Sequence, residues 1–290
     1  MAGEQDAYKR HKRMTPENVV YGYSAIPNGV NFIWYSSDSY DYTSPQIYND
    51  AADCGALLWL CPHRENLNNY PPEGIHKHAQ HVQPLVQFGL EGARALHRFS
   101  VEYAGLFAGG DEHTRATLYL KDGGLLVHLV NDGPNSTGTS FSVAVPKEWK
   151  RCLVLNAADM RWHVVDAARG RLAMGGLDCS RGPLPLVARP YPRTAALNWH
   201  DNLCRHVGVT VRDRTIRVMA TGVARSCGAL YFEVPKGTAL ERLGRTMGRV
   251  SDEICAVPIV FNAEGKAQQT LKIIPAPEVK DIRQWPPLES

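Results

Sequence analysis

Residues 116–133 read ATLYLKDGGLLVHLVNDG, and this stretch decides the fold class. Asp122-Gly123 suits the positive φ angles of a two-residue hairpin turn. Turning there places Leu118, Leu120, Leu125, Val127 and Leu129 on one face, and Thr117, Tyr119, Lys121 and His128 on the other. The apolar positions coincide only in this register, because a slip of one residue exchanges the two faces of a strand. The stretch predicts an antiparallel hairpin with a buried apolar face.

The same pattern recurs downstream. VGVTVRDRTIRVMA, residues 207–220, turns at Asp213-Arg214. That turn pairs Val211 with Ile216 and Val209 with Val218, and sends Thr210, Arg212, Thr215 and Arg217 outward. Further strands are expected in TSFSVAVP (139–146), CLVLN (152–156), RWHVVDA (161–167), PLVARPY (185–191), ALYFEVP (229–235), PIVFN (258–262) and QTLKII (269–274). One helix is expected among them, over 238–254, where Thr238 and Glu241 stand at capping-box spacing.

Upstream, residues 18–37 read as a second kind of hairpin, turning at Asn28-Gly29. Residues 83–107 carry Leu85, Phe88, Ala95, Phe99, Tyr103 and Leu106 near the 3.6-residue period, so a long helix is expected there with Pro84 in its first turn. The predicted class is α+β and β-rich. It comprises a C-terminal antiparallel β-sandwich or barrel-like region and a small N-terminal hairpin-plus-long-helix region. The expected organisation is a basic arm (1–17), the hairpin and helix region (18–110), a β-rich, Arg-rich region (111–274) and an extended tail (275–290).

The chain has 290 residues, enough for one large domain or two ordinary ones. Its 44% hydrophobic and 21% charged content is that of a globular chain. No apolar run approaches membrane-spanning length, and no apolar segment follows the basic cluster YKRHKR of the first 17 residues. The seven cysteines are an odd number with no CxxC pair, which predicts free, mostly buried thiols in a reducing compartment. The expected location is cytoplasmic, with the basic arm as a nuclear address in the alternative, and the chain is not expected to be secreted or membrane-bound.

Charge is unevenly distributed. Residues 151–250 hold 16 basic and 7 acidic side chains, and 15 of the 16 are arginine. Arginine's planar fork suits phosphates and carboxylates, so Arg193, Arg205, Arg212, Arg214, Arg217 and Arg225 are candidate contacts to a polyanion or a partner protein. Residues 21–48 hold six of the twelve tyrosines. Tyr21, Tyr23, Tyr40 and Tyr42, with Trp34, are a candidate aromatic binding face.

GIHKHAQH, residues 74–81, follows LCPHRE at 60–65. His76, His78 and His81, with Cys61 or His63, are therefore candidate zinc ligands. An extended chain aligns only the first two and a helix only the last two, so three ligands from this stretch would need a junction inside it. The stretch is accordingly read as a junction ahead of the 83–107 helix. A second group, His200, Asp201, Cys204 and His206, offers a thiol beside imidazoles. GxSxG, Walker and GxGxxG signatures are absent, and the reading leans away from catalysis.

The leading expectation is a non-enzymatic structural or assembly protein of a larger complex, such as a virus-like shell. Its Arg-rich β-region would contact other protein subunits, copies of itself, or a nucleic acid. It needs no cofactor. The alternatives are a zinc-dependent enzyme using the 61–81 cluster and a carbohydrate- or RNA-binding β-domain.

Overall fold

The structure, a computed structural model, describes residues 31–36, 45–53, 56–61, 72–88, 94–97, 105–121, 123–201 and 203–276. It divides into two units, one ending at Tyr191 and one beginning at Pro192. The compositional boundary near residue 110 falls inside the first. The fold is mostly β, with several antiparallel sheets.

The first unit contains β1 (Asn31–Ser36), α1 (Pro45–Asp53), β2 (Ala56–Cys61), α2 (Pro72–Phe88), β3 (Arg94–His97), β4 (Phe107–Ala108), β5 (Thr114–Lys121), β6 (Gly124–Asn131), β7 (Thr139–Ala144), β8 (Arg151–Asn156), β9 (Arg161–Asp166), β10 (Arg171–Leu177) and β11 (Leu184–Pro190). The 116–133 hairpin forms in the predicted register, with Leu120 opposite Leu125 and Leu118 opposite Val127. It supplies the second and third strands of a six-stranded sheet, order β3-β5-β6-β11-β8-β9. One face of this sheet packs Leu118, Leu125, Val127, Leu129, Val154 and Leu186 against Phe141, Val143 and Leu172 of the three-stranded sheet β10-β7-β4.

The opposite face is also covered, which explains why every residue of β6 is buried. Tyr119 and His128 lie beneath Tyr48 of α1 and His81 of α2. Phe88 reaches Gly124, where an added Cβ would come within 3.3 Å of its ring. The buried stripe of α2 is His81, Pro84, Leu85 and Phe88, the i, i+3, i+4, i+7 face of a helix. Thr117 Oγ1 donates to the Ala52 carbonyl at 2.6 Å, tying the last turn of α1 to β5.

The predicted 83–107 helix is displaced. The helix ends at Phe88, just before Gly89, and Arg94–His97 is instead a strand on β5. Two glycines, at 89 and 92, outweigh the apolar period because glycine costs about 1 kcal/mol in a helix. Pro84 stands deep in α2, not in its first turn. The predicted junction at 74–81 is likewise corrected, since the whole stretch is helical. Of the 18–37 hairpin, the first arm and the turn lie outside the described residues. The second arm, β1, pairs in parallel with β2.

The second unit contains β12 (Ala196–His200), β13 (Cys204–Arg212), β14 (Thr215–Gly222), β15 (Cys227–Glu233), β16 (Thr238–Arg242), β17 (Arg245–Thr246), β18 (Gly248–Ser251), β19 (Ile254–Val260) and β20 (Lys266–Pro275). Two antiparallel sheets, β12-β15-β19-β18 and β13-β14-β20-β16-β17, share one core. Phe232, Leu230 and Val257 from the first meet Ile216, Val218, Leu240 and Leu271 from the second. Among the described residues no sheet closes into a barrel, so that alternative is corrected. The open orders leave an edge strand at each end.

The predicted 238–254 helix is a correction too. These residues form β16, β17 and β18. Leu243 (φ 51°) and Gly244 (φ 77°) turn the chain, with Arg242 opposite Arg245 and Glu241 opposite Thr246. Two consecutive positive φ angles are the signature of a tight hairpin turn, and no helix passes through them.

Candidate polyanion-binding face

Strand alternation builds this face. On β14, Ile216, Val218 and Ala220 are buried, so Thr215, Arg217, Met219 and Thr221 point out. The Asp213-Arg214 turn forms as predicted, with Val211 opposite Ile216 and Val209 opposite Val218. It sets Arg212 beside Thr215, Thr210 beside Arg217 and Gly208 beside Met219. On the other flank, β20 sets Lys272 beside Thr215, Thr270 beside Arg217, Gln268 beside Met219 and Lys266 beside Thr221.

The outward positions of β13, β14 and β20 thus read His206, Gly208, Thr210, Arg212; Thr215, Arg217, Met219, Thr221; and Lys266, Gln268, Thr270, Lys272. None is acidic and none is a large aromatic. Arg212, Arg217, Lys266 and Lys272 are all exposed. Lys266 Nζ bonds Glu264 Oε2 at 2.9 Å. Among the described residues the acidic groups nearest this face are at its rim: Glu264 on Lys266, Asp213 in the turn and Glu241 opposite Lys272 on β16. Strand spacing puts Arg212 and Lys272 about 10 Å apart, with Arg217 one row away at about 7 Å. The concavity over Gly208, Arg217 and Gln268 encloses about 710 Å³. Cations on a pleated surface with threonine hydroxyls between them present donors suited to a run of phosphates.

The six candidate arginines are distributed unevenly around this face. Arg212 and Arg217 lie on it, and Arg214 sits in the turn at its end. Arg205 is at the β13 irregularity between Cys204 and His206, at the opposite end. Arg225 (φ 58°) is in the β14–β15 connection, and Arg193 precedes β12. Among the described residues none of the six is ion-paired. Lys266 and Lys272 were not singled out in the sequence, although the alternation KxQxTxK in 266–272 carries them.

The candidate zinc ligands are placed as follows. His76, His78 and His81 lie on α2; positions three apart share a helix face, whereas positions five apart stand roughly 140° apart. His81 is buried, its ring 5.3 Å from that of His128. Cys61 ends β2, and His63 lies outside the described residues. Among the described residues no group of three or more His, Cys, Asp or Glu side chains is placed to hold a metal ion. Tyr21, Tyr23, Tyr40 and Tyr42 lie outside the described residues, and Trp34 is on β1.

Within the His200–His206 group, Asp201 and Cys204 are tied into the fold, while His206 is exposed on the face described above. Asp201 accepts the Ala229 N–H at 2.6 Å and the Leu203 N–H at 3.0 Å, pinning the turn between β12 and β13. Cys204 is buried, and burial followed by the Asp201 charge pushes its thiol up to about 12. A thiol so far from ionisation is no nucleophile. Cys152, Cys179 and Cys255 are likewise buried free thiols, and Cys227 is exposed. Among the described residues no helix is long and apolar enough to cross a membrane. No protein-family model matches the chain, and no curated protein matches it.

Proposed function

We propose that the chain is a non-catalytic assembly protein whose C-terminal unit holds a nucleic-acid backbone on the outer face of its five-stranded sheet. The scaffold on this reading is a two-sheet β-sandwich, one sheet facing the ligand and the other closing the core. The observation that carries it is the run of outward positions on β13, β14 and β20, four of them cationic and none acidic. Phosphate neutralisation by Lys and Arg releases counterions and supplies most sequence-independent affinity. With no Phe, Tyr or Trp among these outward positions to stack a base, binding is to the backbone and indifferent to sequence.

The test is binding of single-stranded homopolymer RNAs by the full chain, with polyglutamate as competitor. The reading expects similar affinity for oligouridylate and oligoadenylate, steep weakening with salt, and poor competition by polyglutamate. Equal competition by polyglutamate assigns the face to an acidic protein surface, and no RNA binding at low salt rejects the reading.

A further inference from the structure

A cleft of about 750 Å³ opens in the first unit, where α2 meets the turns that end β8, β10 and the approach to β11. Its volume is that of a small-molecule site, several times what a bare inorganic anion occupies. Three cations line it from three separate elements: Lys77 from α2, Arg161 from the start of β9 and Arg181 from the β10–β11 connection.

Two aspartates also line the cleft, but each is engaged by its own turn. Asp178 Oδ1 accepts the Ser180 N–H at 3.0 Å and the Ser180 hydroxyl at 2.6 Å. These bonds, before the nearby Arg181 charge, hold the Asp178 carboxyl below the usual carboxylate range. Asp159 Oδ1 accepts the Arg161 N–H at 3.1 Å, and its Oδ2 lies 3.7 Å from Arg161 Nε. Arg181 forms no ion pair among the described residues. The walls therefore offer cations for an anionic head and carboxylate oxygens, with the Asn156 side chain, for hydroxyl groups.

Backbone shape keeps the cleft open. β10 slips register against β7 between Met174 and Leu177, and the slipped residues are Gly175 and Gly176. Gly176 sits at φ 69°, and a Cβ built there would meet nothing within 4 Å. This bulge lines the cleft with bare main chain, leaving room for a ligand to approach closely.

We propose that this cleft binds a small phosphorylated sugar, free or as part of a nucleotide. The phosphate lies between Arg181 and Lys77, and sugar hydroxyls donate to Asp178 and Asp159. The site belongs to the first unit alone and is independent of the cationic sheet face.

Calorimetric titration of the full chain with ribose 5-phosphate, adenosine 5′-monophosphate, ribose and inorganic phosphate tests it. Saturable binding of both phosphorylated compounds, and much weaker binding of ribose and of phosphate, is expected. Tighter binding of the monophosphate assigns a nucleotide, and equal binding assigns a sugar phosphate. Arg181→Gln, an exposed change that leaves the core untouched, weakens binding about tenfold, the loss of one charge-assisted contact. Lys236→Gln, an exposed change in the other unit and outside both sites, leaves it unchanged. Absence of saturable binding overturns the proposal, as does affinity that survives both Arg181→Gln and Lys77→Gln. Inorganic phosphate binding as tightly as ribose 5-phosphate overturns it too, reducing the cleft to an adventitious ion site.

Discussion

The rings of His81 and His128 lie 5.3 Å apart, centroid to centroid, and tilted by 45° inside the first unit. His128 is 1% exposed, and neither of its ring nitrogens has a hydrogen-bond partner. Its neighbours are Tyr119 on β5 and His81 on α2, with Tyr48 of α1 beyond. Burial first, and the His81 charge second, drive the His128 pKa well below its ordinary 6.5. Between that depressed value and about 6.5 the unfolded chain binds more protons than the folded one, so stability rises with pH through this window and is lost as pH falls. One such group gives a slope of at most about 1.4 kcal/mol per pH unit. Urea midpoints measured from pH 7 downward should fall for the native chain, and His128→Phe should flatten that fall. Parallel curves for the two proteins would show that His128 is not responsible.

The bond from Thr117 Oγ1 to the Ala52 carbonyl links α1 to β5. Thr117→Val keeps the shape and removes the donor, leaving a buried carbonyl unsatisfied. The expected cost is about 1–2 kcal/mol. Denaturant unfolding reads it, and an unchanged midpoint would mean that the bond adds nothing to the docking of α1.

Leu243 is 91% exposed and stands at φ 51°, a backbone conformation that a leucine side chain disfavours. Leu243→Asn retains the turn with a residue suited to it. Stability should rise by about 0.5–1 kcal/mol, seen as a higher melting temperature. A lower one would show that the exposed leucine has a packing partner.

That turn also marks where the sequence is hardest to read. Thr238 and Glu241 imitate a helix cap, yet Ala239 and Leu240 pack into the sheet core and Gly244 follows a left-handed residue. The hairpins β5–β6 and β13–β14 were legible to the register, because their apolar positions coincide across the turn in one register alone, although β6 is buried on both faces. The strands β10 and β12 were not foreseen: glycines interrupt the first, and mixed burial blurs the second. The helix expected over 83–107 lies earlier in the chain, as α2, because His81 acts as a core residue, which no periodicity scale that treats histidine as polar anticipates. Of the candidate site, Arg212, Arg214 and Arg217 were legible as charge. Their grouping with Lys266 and Lys272 needed the β14–β20 pairing, a contact between residues some fifty positions apart.

Cysteine reactivity separates structural from exposed thiols. Among the described cysteines, Cys227 should react with iodoacetamide in the native state while Cys152, Cys179, Cys204 and Cys255 stay protected until unfolding. Peptide mapping after brief alkylation reads this. Rapid labelling of Cys204 would contradict its burial and its raised pKa.

The most direct measurement of the sheet-face assignment is the salt dependence of binding to a single-stranded oligouridylate, between about 50 and 200 mM salt. Arg212→Gln, Arg217→Gln and Lys272→Gln combined change three exposed side chains and leave the core intact. Each cation lost should reduce the slope of log K against log salt by about 0.7, so the triple variant should lie about 2 units flatter and bind more weakly at every salt concentration. An identical slope for the native and triple-variant chains would contradict the assignment of this face to nucleic acid.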